Sequence, residues 1–310
     1  MQPLLATTLL VLLAGCAVTP EWQRDMQSAL STSRRGAKDL VVYFALPGHD
    51  SSDFMESRLP APVVLQALMA GDFVAVIADG IERKRMYAEW IGGNEGMGMC
   101  VLDGQGYCYA ARPGPQDPEQ VAAFLTLCVS KRAELAELRG KLQQEEVGPT
   151  DLHALGCLLL ELGCRVHAEP LLTSAAVDGV AESRLRLAQL FALDGNLTAA
   201  KRWLKTAPKT PAAKFVGGYV LFKERRYAAA VTALQAAVAT KKLGADRQNA
   251  LLYLGKSLHQ DKRDEQAIPI LEALAAEATG SIFEAAASHT LGHIYNPDHG
   301  HILMAERASR

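Results

Sequence analysis

The chain has 310 residues, a formal net charge of −2, and 49% hydrophobic but only 6% aromatic residues. That length and apolar content suit one to three domains with substantial cores, and the near-neutral balance argues against a polyelectrolyte role. No collagen-like, mucin-like or Gln/Asn-rich tract occurs, and the abundance of alanine and leucine favours helices.

Residues 1–20, MQPLLATTLLVLLAGCAVTP, read as a targeting segment. The apolar run from Leu4 to Ala14 is too short for a mature membrane span. It ends in Leu13-Ala14-Gly15-Cys16, which resembles the bacterial lipobox, although no Lys or Arg precedes Arg24. The resemblance implies that Cys16 is lipidated and becomes the first mature residue. The chain is then tethered to a membrane of the cell envelope, facing the periplasm or the exterior. Ala17 rather than Asp follows Cys16, so the resemblance implies no signal for retention in the inner membrane. Residues 21–34 are expected to be a linker.

Residues 35–146 alternate strand and helix signals. Leu40 to Ala45 is a continuous apolar run, as in a strand buried on both faces. After the Pro47-Gly48 turn, Ser51 or Ser52 can cap a helix carrying Phe54 and Met55. Pro60 and Pro62 interrupt it, and a second helix follows through Val63, Val64, Leu65, Leu68 and Met69. Phe73–Ala78 is the next strand, and 83–90 the next helix. A hairpin then joins Met99–Leu102 to Tyr107–Ala110 through Asp103-Gly104-Gln105-Gly106. Pro118 opens a last helix through Val121, Phe124, Leu125 and Cys128. The Gly-rich stretch 92–98 follows a helix rather than a strand and lacks a GK[ST] ending, so it is not a phosphate cradle.

This β-α-β-α-β-β-α order looks like a thioredoxin fold. The phrases Met55-Glu56, Pro60-Ala61-Pro62-Val63-Val64, Asp72-Phe73-Val74 and Asp79 resemble thioredoxin-like proteins that carry a catalytic CxxC. Two signatures of that family are missing. His49 and Ser52 stand in the cysteine slots, and Met97 stands where the family has a cis-proline that binds substrate backbone. A serine hydroxyl cannot exchange disulfides, so dithiol chemistry cannot run at residues 49–52. His49, Asp50 and Ser52 are too close in sequence for a hydrolytic triad, and no nucleophile elbow is present. The loop reads instead as a serine-capped helix start with Asp50 on its dipole and His49 in solvent. A second reading is a retained peptide groove using Met97, Met99 and the helix N-terminus.

Besides Cys16 the chain has Cys100, Cys108, Cys128, Cys157 and Cys164, an odd number with no CxxC. Cys157 and Cys164 fall on one predicted helix, about 10 Å apart along its axis, beyond disulfide reach. A two- or four-residue hairpin loop places Cys100 and Cys108 on opposite sheet faces, whereas a three-residue loop places them diagonally on one face. The default expectation is buried, inert thiols.

From 147 to 310 the sequence repeats. A small residue recurs at 156, 188, 218, 255 and 292, spacings of 32, 30, 37 and 37. Ala168, Ala200, Ala230 and Ala267 recur in the following helices. The pattern resembles the tetratricopeptide repeat, a 34-residue helix-turn-helix, with degenerate tryptophan and proline slots. The resemblance implies a superhelix whose concave face binds peptides or helices. Projected inward are His153, Gln189, Tyr219, Phe222, Asn249, Lys256 and His259. Of these, Tyr219 and Phe222 are candidate anchors, with inter-repeat core as their competing role. Fourteen Lys/Arg against five acids between Ala199 and Glu265 can attract an acidic partner or solvate outer faces. His289 and His293, one turn apart, are candidate metal ligands, without the glutamate of a metalloprotease helix, and His299 and His301 follow Pro297; the competing reading, that no metal binds and all four are surface residues of a capping helix and tail, is the default.

The expected fold class is therefore an α/β thioredoxin-like N-terminal domain followed by an all-α tetratricopeptide-type domain. The expected function is a non-catalytic, membrane-tethered protein-interaction scaffold. Its partners are proteins or peptides on the concave face and a membrane at Cys16, with no nucleic acid and no cofactor. The alternative is a thiol-disulfide oxidoreductase using Cys100 or Cys108, or a periplasmic folding factor.

Overall fold

The computed structural model describes residues 21–93, 96–240, 243–244 and 246–296. The targeting segment with Cys16, and His299 and His301, lie outside the described residues. An α/β region is followed by an all-α region, and the contacts divide the chain into two units. The first comprises the described residues to Gln143 together with Leu158–Ala168, and the second comprises 144–157 and the residues from Glu169 onward.

The first unit is built on a five-stranded mixed sheet. β1 (Trp22–Gln23), β2 (Leu40–Ala45), β3 (Val74–Asp79), β4 (Gly98–Leu102) and β5 (Cys108–Pro113) lie in the order β1-β3-β2-β4-β5. β2 is central, parallel to β3 (Val42 beside Val76) and antiparallel to β4 (Val42 beside Cys100). All six of its residues are buried, as its unbroken apolar run requires. α1 (Met26–Gly36) precedes β2, and α2 (Asp50–Arg58) and α3 (Pro62–Ala70) join β2 to β3. α4 (Lys84–Trp90) leads to the hairpin, and α5 (Pro118–Gln143) packs on α3.

Residues 21–34 are not a linker. Trp22 and Gln23 pair with Ala75 and Val76, and Asp25 caps α1 by accepting the Gln27 N–H at 2.9 Å. The segment was missed because β1 has only two residues and α1 is mostly polar. The far end of the sheet is tied to α5 through Asp39, whose carboxylate accepts Tyr109 Oη at 2.5 Å and Arg132 Nε at 2.7 Å. Arg139 of α5 forms a further ion pair with Asp103 of the hairpin loop.

β5 is an edge strand, and residues 162–167 take up its outward backbone groups. Ala111 N–H donates to Leu162 O at 3.0 Å, and His167 Nδ1 donates to Cys108 O at 2.7 Å. An edge closed in this way offers no template for a stray strand. Gly163 makes the close approach possible: a Cβ there would lie 2.2 Å from Ala111 O.

The helices that follow are α6 (Pro149–Glu161), α7 (Arg165–Val177), α8 (Ala181–Leu193), α9 (Leu197–Leu204), α10 (Pro211–Lys223), α11 (Tyr227–Val238), α12 (Asp246–Gln260), α13 (Asp264–Glu277) and α14 (Ile282–Tyr295). In the second unit α8 pairs with α9, α10 with α11 and α12 with α13, and α13 meets α14. The first helices of successive pairs, α8, α10, α12 and α14, also touch in sequence. The recurrent small residues explain the close pairing. A Cβ on Gly218 would sit 2.6 Å from Leu234, and one on Gly255 2.5 Å from Leu271. Ala200, Ala230 and Ala267 are fully buried on the opposing helices.

One regularity was not anticipated. Seven residues after each small residue, at Gly163, Gly195, Arg225 and Lys262, the backbone is left-handed, with φ between 61° and 80°. The next N–H then reaches back across the helix end, Arg226 to Leu221 O and Arg263 to Leu258 O, each at 2.9 Å. This is the Schellman closure that lets a helix stop and reverse.

Candidate functional site

The β2–α2 junction is the first place to look for chemistry. The expectation that Ser51 or Ser52 caps α2 is not met. His49 occupies the cap position, exposed and without a side-chain cap bond. Ser52 is 0% exposed, and its hydroxyl accepts the Leu46 N–H at 2.9 Å. It closes the turn from the inside, bordering the buried Tyr43 ring, whose hydroxyl pKa is raised chiefly by burial. Asp50 and Asp53 lie in the first turn of α2, the favourable end for carboxylates.

Met97 is 8% exposed, and its carbonyl is taken by Tyr87 Oη at 3.3 Å and Gly114 N at 2.8 Å. Met99 is buried in β4. Neither methionine of the groove imagined from Met97, Met99 and the helix N-terminus is therefore open to a ligand. An opening of about 390 Å³ does lie at the helix N-terminus, but without them, among Pro47, Gly48, Asp53, Glu56, Asp79 and Arg83.

The cysteines depart from expectation in two respects. Asp103 N–H donates to Tyr107 O at 3.0 Å, so the hairpin loop is the three residues 104–106 and Leu102 pairs with Cys108. Cys100 and Cys108 thus share a sheet face, and the neighbouring Cys100 thiol adds to burial in raising the Cys108 pKa. Cys164 is not on a helix with Cys157: α6 ends at Glu161, Gly163 turns the chain, and Cys164 precedes α7. Its thiol meets that of Cys108 and donates to Cys108 O at 3.4 Å. A helical period read straight through Gly163 concealed this contact.

Cys100, Cys108, Cys128 and Cys164 are all buried, and all five described cysteines are free thiols. Burial raises the Cys108 thiol well above its ordinary pKa and pushes Cys128 up to about 12. The adjoining Cys108 thiol, then burial, raises Cys164. Cys157 is half-buried and also raised by burial. At Cys108, Cys128, Cys157 and Cys164 these environments disfavour the thiolate at neutral pH.

In the second unit, a cleft of about 550 Å³ brings together residues singled out for different reasons. Phe222, Lys256 and His259, candidate partner contacts, line it beside His289 and His293, candidate metal ligands, with Ile294 on its apolar wall. The repeat explains the convergence. Lys256 and His293 are 37 residues apart, as are Phe222 and His259, so equivalent positions of successive first helices face one space.

The other two candidate partner contacts lie in a smaller cavity of about 80 Å³. There Tyr219 and Asn249 meet Gln189 and Tyr253. Tyr219 is only 6% exposed, its ring edge-on to Tyr253 with centroids 4.6 Å apart. Phe222, half-buried, stacks edge-on to Tyr253 at 5.2 Å.

The cleft carries Lys256 and Lys262 against one carboxylate, Asp264. Lys256 Nζ stands 5.6 Å from the centre of the Tyr253 ring, and Lys223 Nζ 5.4 Å from that of Tyr219. Burial, then the charge of Lys223, lowers the Lys256 pKa. His259 pairs with Asp264 at 2.7 Å. The His289 and His293 rings meet edge-on at 4.5 Å. Among the described residues no group of three or more His, Cys, Asp or Glu is arranged to hold a metal ion. Nor is any described helix long and apolar enough to cross a membrane.

No family model matches the chain, and no curated protein matches it in sequence.

Proposed function

We propose that the protein is a non-catalytic interaction scaffold of a bacterial cell envelope. It joins a thioredoxin-like domain without its dithiol to tetratricopeptide-like repeats, and is tethered through a lipid on Cys16. The strand order β1-β3-β2-β4-β5, with β2 central and a β4–β5 hairpin, supports the first half of that reading. Helix pairs closed on Gly218 and Gly255 support the second. The observation that carries the functional conclusion is Ser52. The side chain in the position of a redox cysteine is fully buried and committed to the Leu46 N–H, so the loop has been rebuilt as a structural turn. Protein contact through the open cleft between first helices is then the means of action.

The oxidoreductase alternative draws on one feature, the adjoining thiols of Cys100, Cys108 and Cys164. The burial of all three, and the raised pKa values of Cys108 and Cys164, oppose it. Thiol titration of the full chain decides between the two. The scaffold reading expects the four buried cysteines to resist alkylation at pH 8 until denaturant is added, with no insulin reduction. A rapidly alkylated cysteine that supports insulin reduction would establish the oxidoreductase instead.

A further inference from the structure

The cleft in the second unit contains more positive charge than the protein neutralises. Three of the acids nearby are engaged. Glu224 pairs with Lys201 and Arg226, Asp261 with Arg263, and Asp264 with His259. Lys223, Lys256 and Lys262 have no ion pair among the described residues. Lys256 is half-buried with only a tyrosine face beneath it and another lysine for a neighbour. A desolvated ammonium with a like charge beside it and no carboxylate is unfavourable in the isolated chain. The arrangement becomes favourable when a ligand brings the missing anions.

Lys256 on α12 and Lys262 in the following turn line the opening, and Lys223 on α10 stands beside it, near Lys256. Between them Phe222 and Ile294 offer apolar surface inside the 550 Å³ opening. Separated charges with an apolar wall between them suit a chain bearing several carboxylates and a bulky apolar side chain. A single compact phosphate would engage only one of them.

We infer that this cleft receives an acidic, aromatic-bearing peptide segment of a partner protein, with its carboxylates on Lys223, Lys256 and Lys262 and its ring against Phe222 and Ile294. The inference rests on the scaffold reading and gives its partner a chemistry.

The test uses the full chain and short fluorescent peptides alternating Glu with Phe, Gln with Phe, or Lys with Phe. Fluorescence anisotropy at about 20 mM salt, where screening is weak, should show saturable binding of the Glu-Phe peptide alone. That binding should weaken about tenfold or more in Lys256→Glu, less in Lys256→Gln, and by less than about twofold in Lys209→Glu, an exposed charge reversal outside the cleft. Circular dichroism melts establish that the variants are folded. Equal binding of the Lys-Phe peptide, or indifference to both Lys256 substitutions, overturns the inference. So does Lys256-dependent binding to phosphatidylglycerol vesicles without peptide binding. Crosslinking of the membrane-tethered protein in cells tests the scaffold reading separately: failure to crosslink to any protein sinks that reading even when the peptide binds.

Discussion

A half-buried imidazole shows how a single residue makes the second unit sensitive to acid. His153 of α6 shares a 2.8 Å hydrogen bond with the Ser183 hydroxyl, which is fully buried, and burial lowers its pKa below the ordinary value. The folded chain therefore binds this proton less readily than the unfolded chain does. The associated stability is fully present above the unfolded imidazole pKa of about 6.5 and is lost as pH falls toward the depressed folded value. Denaturant midpoints measured from pH 7.5 to 5 should fall more steeply in the wild type than in His153→Gln. Parallel curves would remove His153 from the account. The residue was picked from the repeat pattern as an inward-facing position. Its partner Ser183, 30 residues on, was beyond reach because hydroxyls carry no periodic signal.

At the scale of the element, the helix turns make two opposite predictions about glycine. Arg225 adopts φ 61° where the equivalent turn residue 195 is glycine. A side chain in the left-handed region costs about 1–2 kcal/mol, and glycine removes that cost while adding back about 0.4–1 kcal/mol of unfolded-state entropy. Arg225→Gly should therefore stabilise the chain by about 0.5–1 kcal/mol in urea titrations. Gly255→Ala should act the other way. Its Cβ would lie 2.5 Å from the fully buried Leu271 side chain, an overpacking that costs about 1–3 kcal/mol. An unchanged midpoint in Gly255→Ala would mean the glycine has no role in helix approach.

These elements also show what sequence can reveal. The small residues at 188, 218 and 255 announced the helix pairs because packing demands them at every repeat. Tyr219 and Phe222 could not be sorted into core and cleft, since the same apolar ring suits both. Only the geometry separates the buried Tyr219 from Phe222 on the wall of the open cleft. At the redox-like loop the absence of thiols at positions 49 and 52 was plain. The inward turn of Ser52 was not, because a serine before a helix usually caps it.

At the scale of the molecule, the first unit is not contiguous in sequence. A division between 146 and 147 follows the change from mixed to helical sequence, yet residues 158–168 belong with the sheet. A fragment of residues 21–146 therefore lacks Leu162, Cys164 and His167, the groups that engage β5 at Ala111 and Cys108. It should aggregate through its open edge and expose Cys108 to rapid alkylation, whereas a fragment of residues 21–168 should stay monomeric with that thiol protected. Gel filtration and timed alkylation distinguish the two. Identical behaviour would mean the later segment contributes nothing to the edge.

Protein synthesis delivers a chain from its N-terminus. Strands β1 to β5 emerge first, but the residues that finish the last strand arrive some fifty positions later, after the start of the helical array has already appeared. Throughout that interval the nascent sheet has an unguarded margin of the kind that invites aggregation. The first unit must therefore wait for its own second segment, and the interval before residue 168 appears is when a folding helper would matter most.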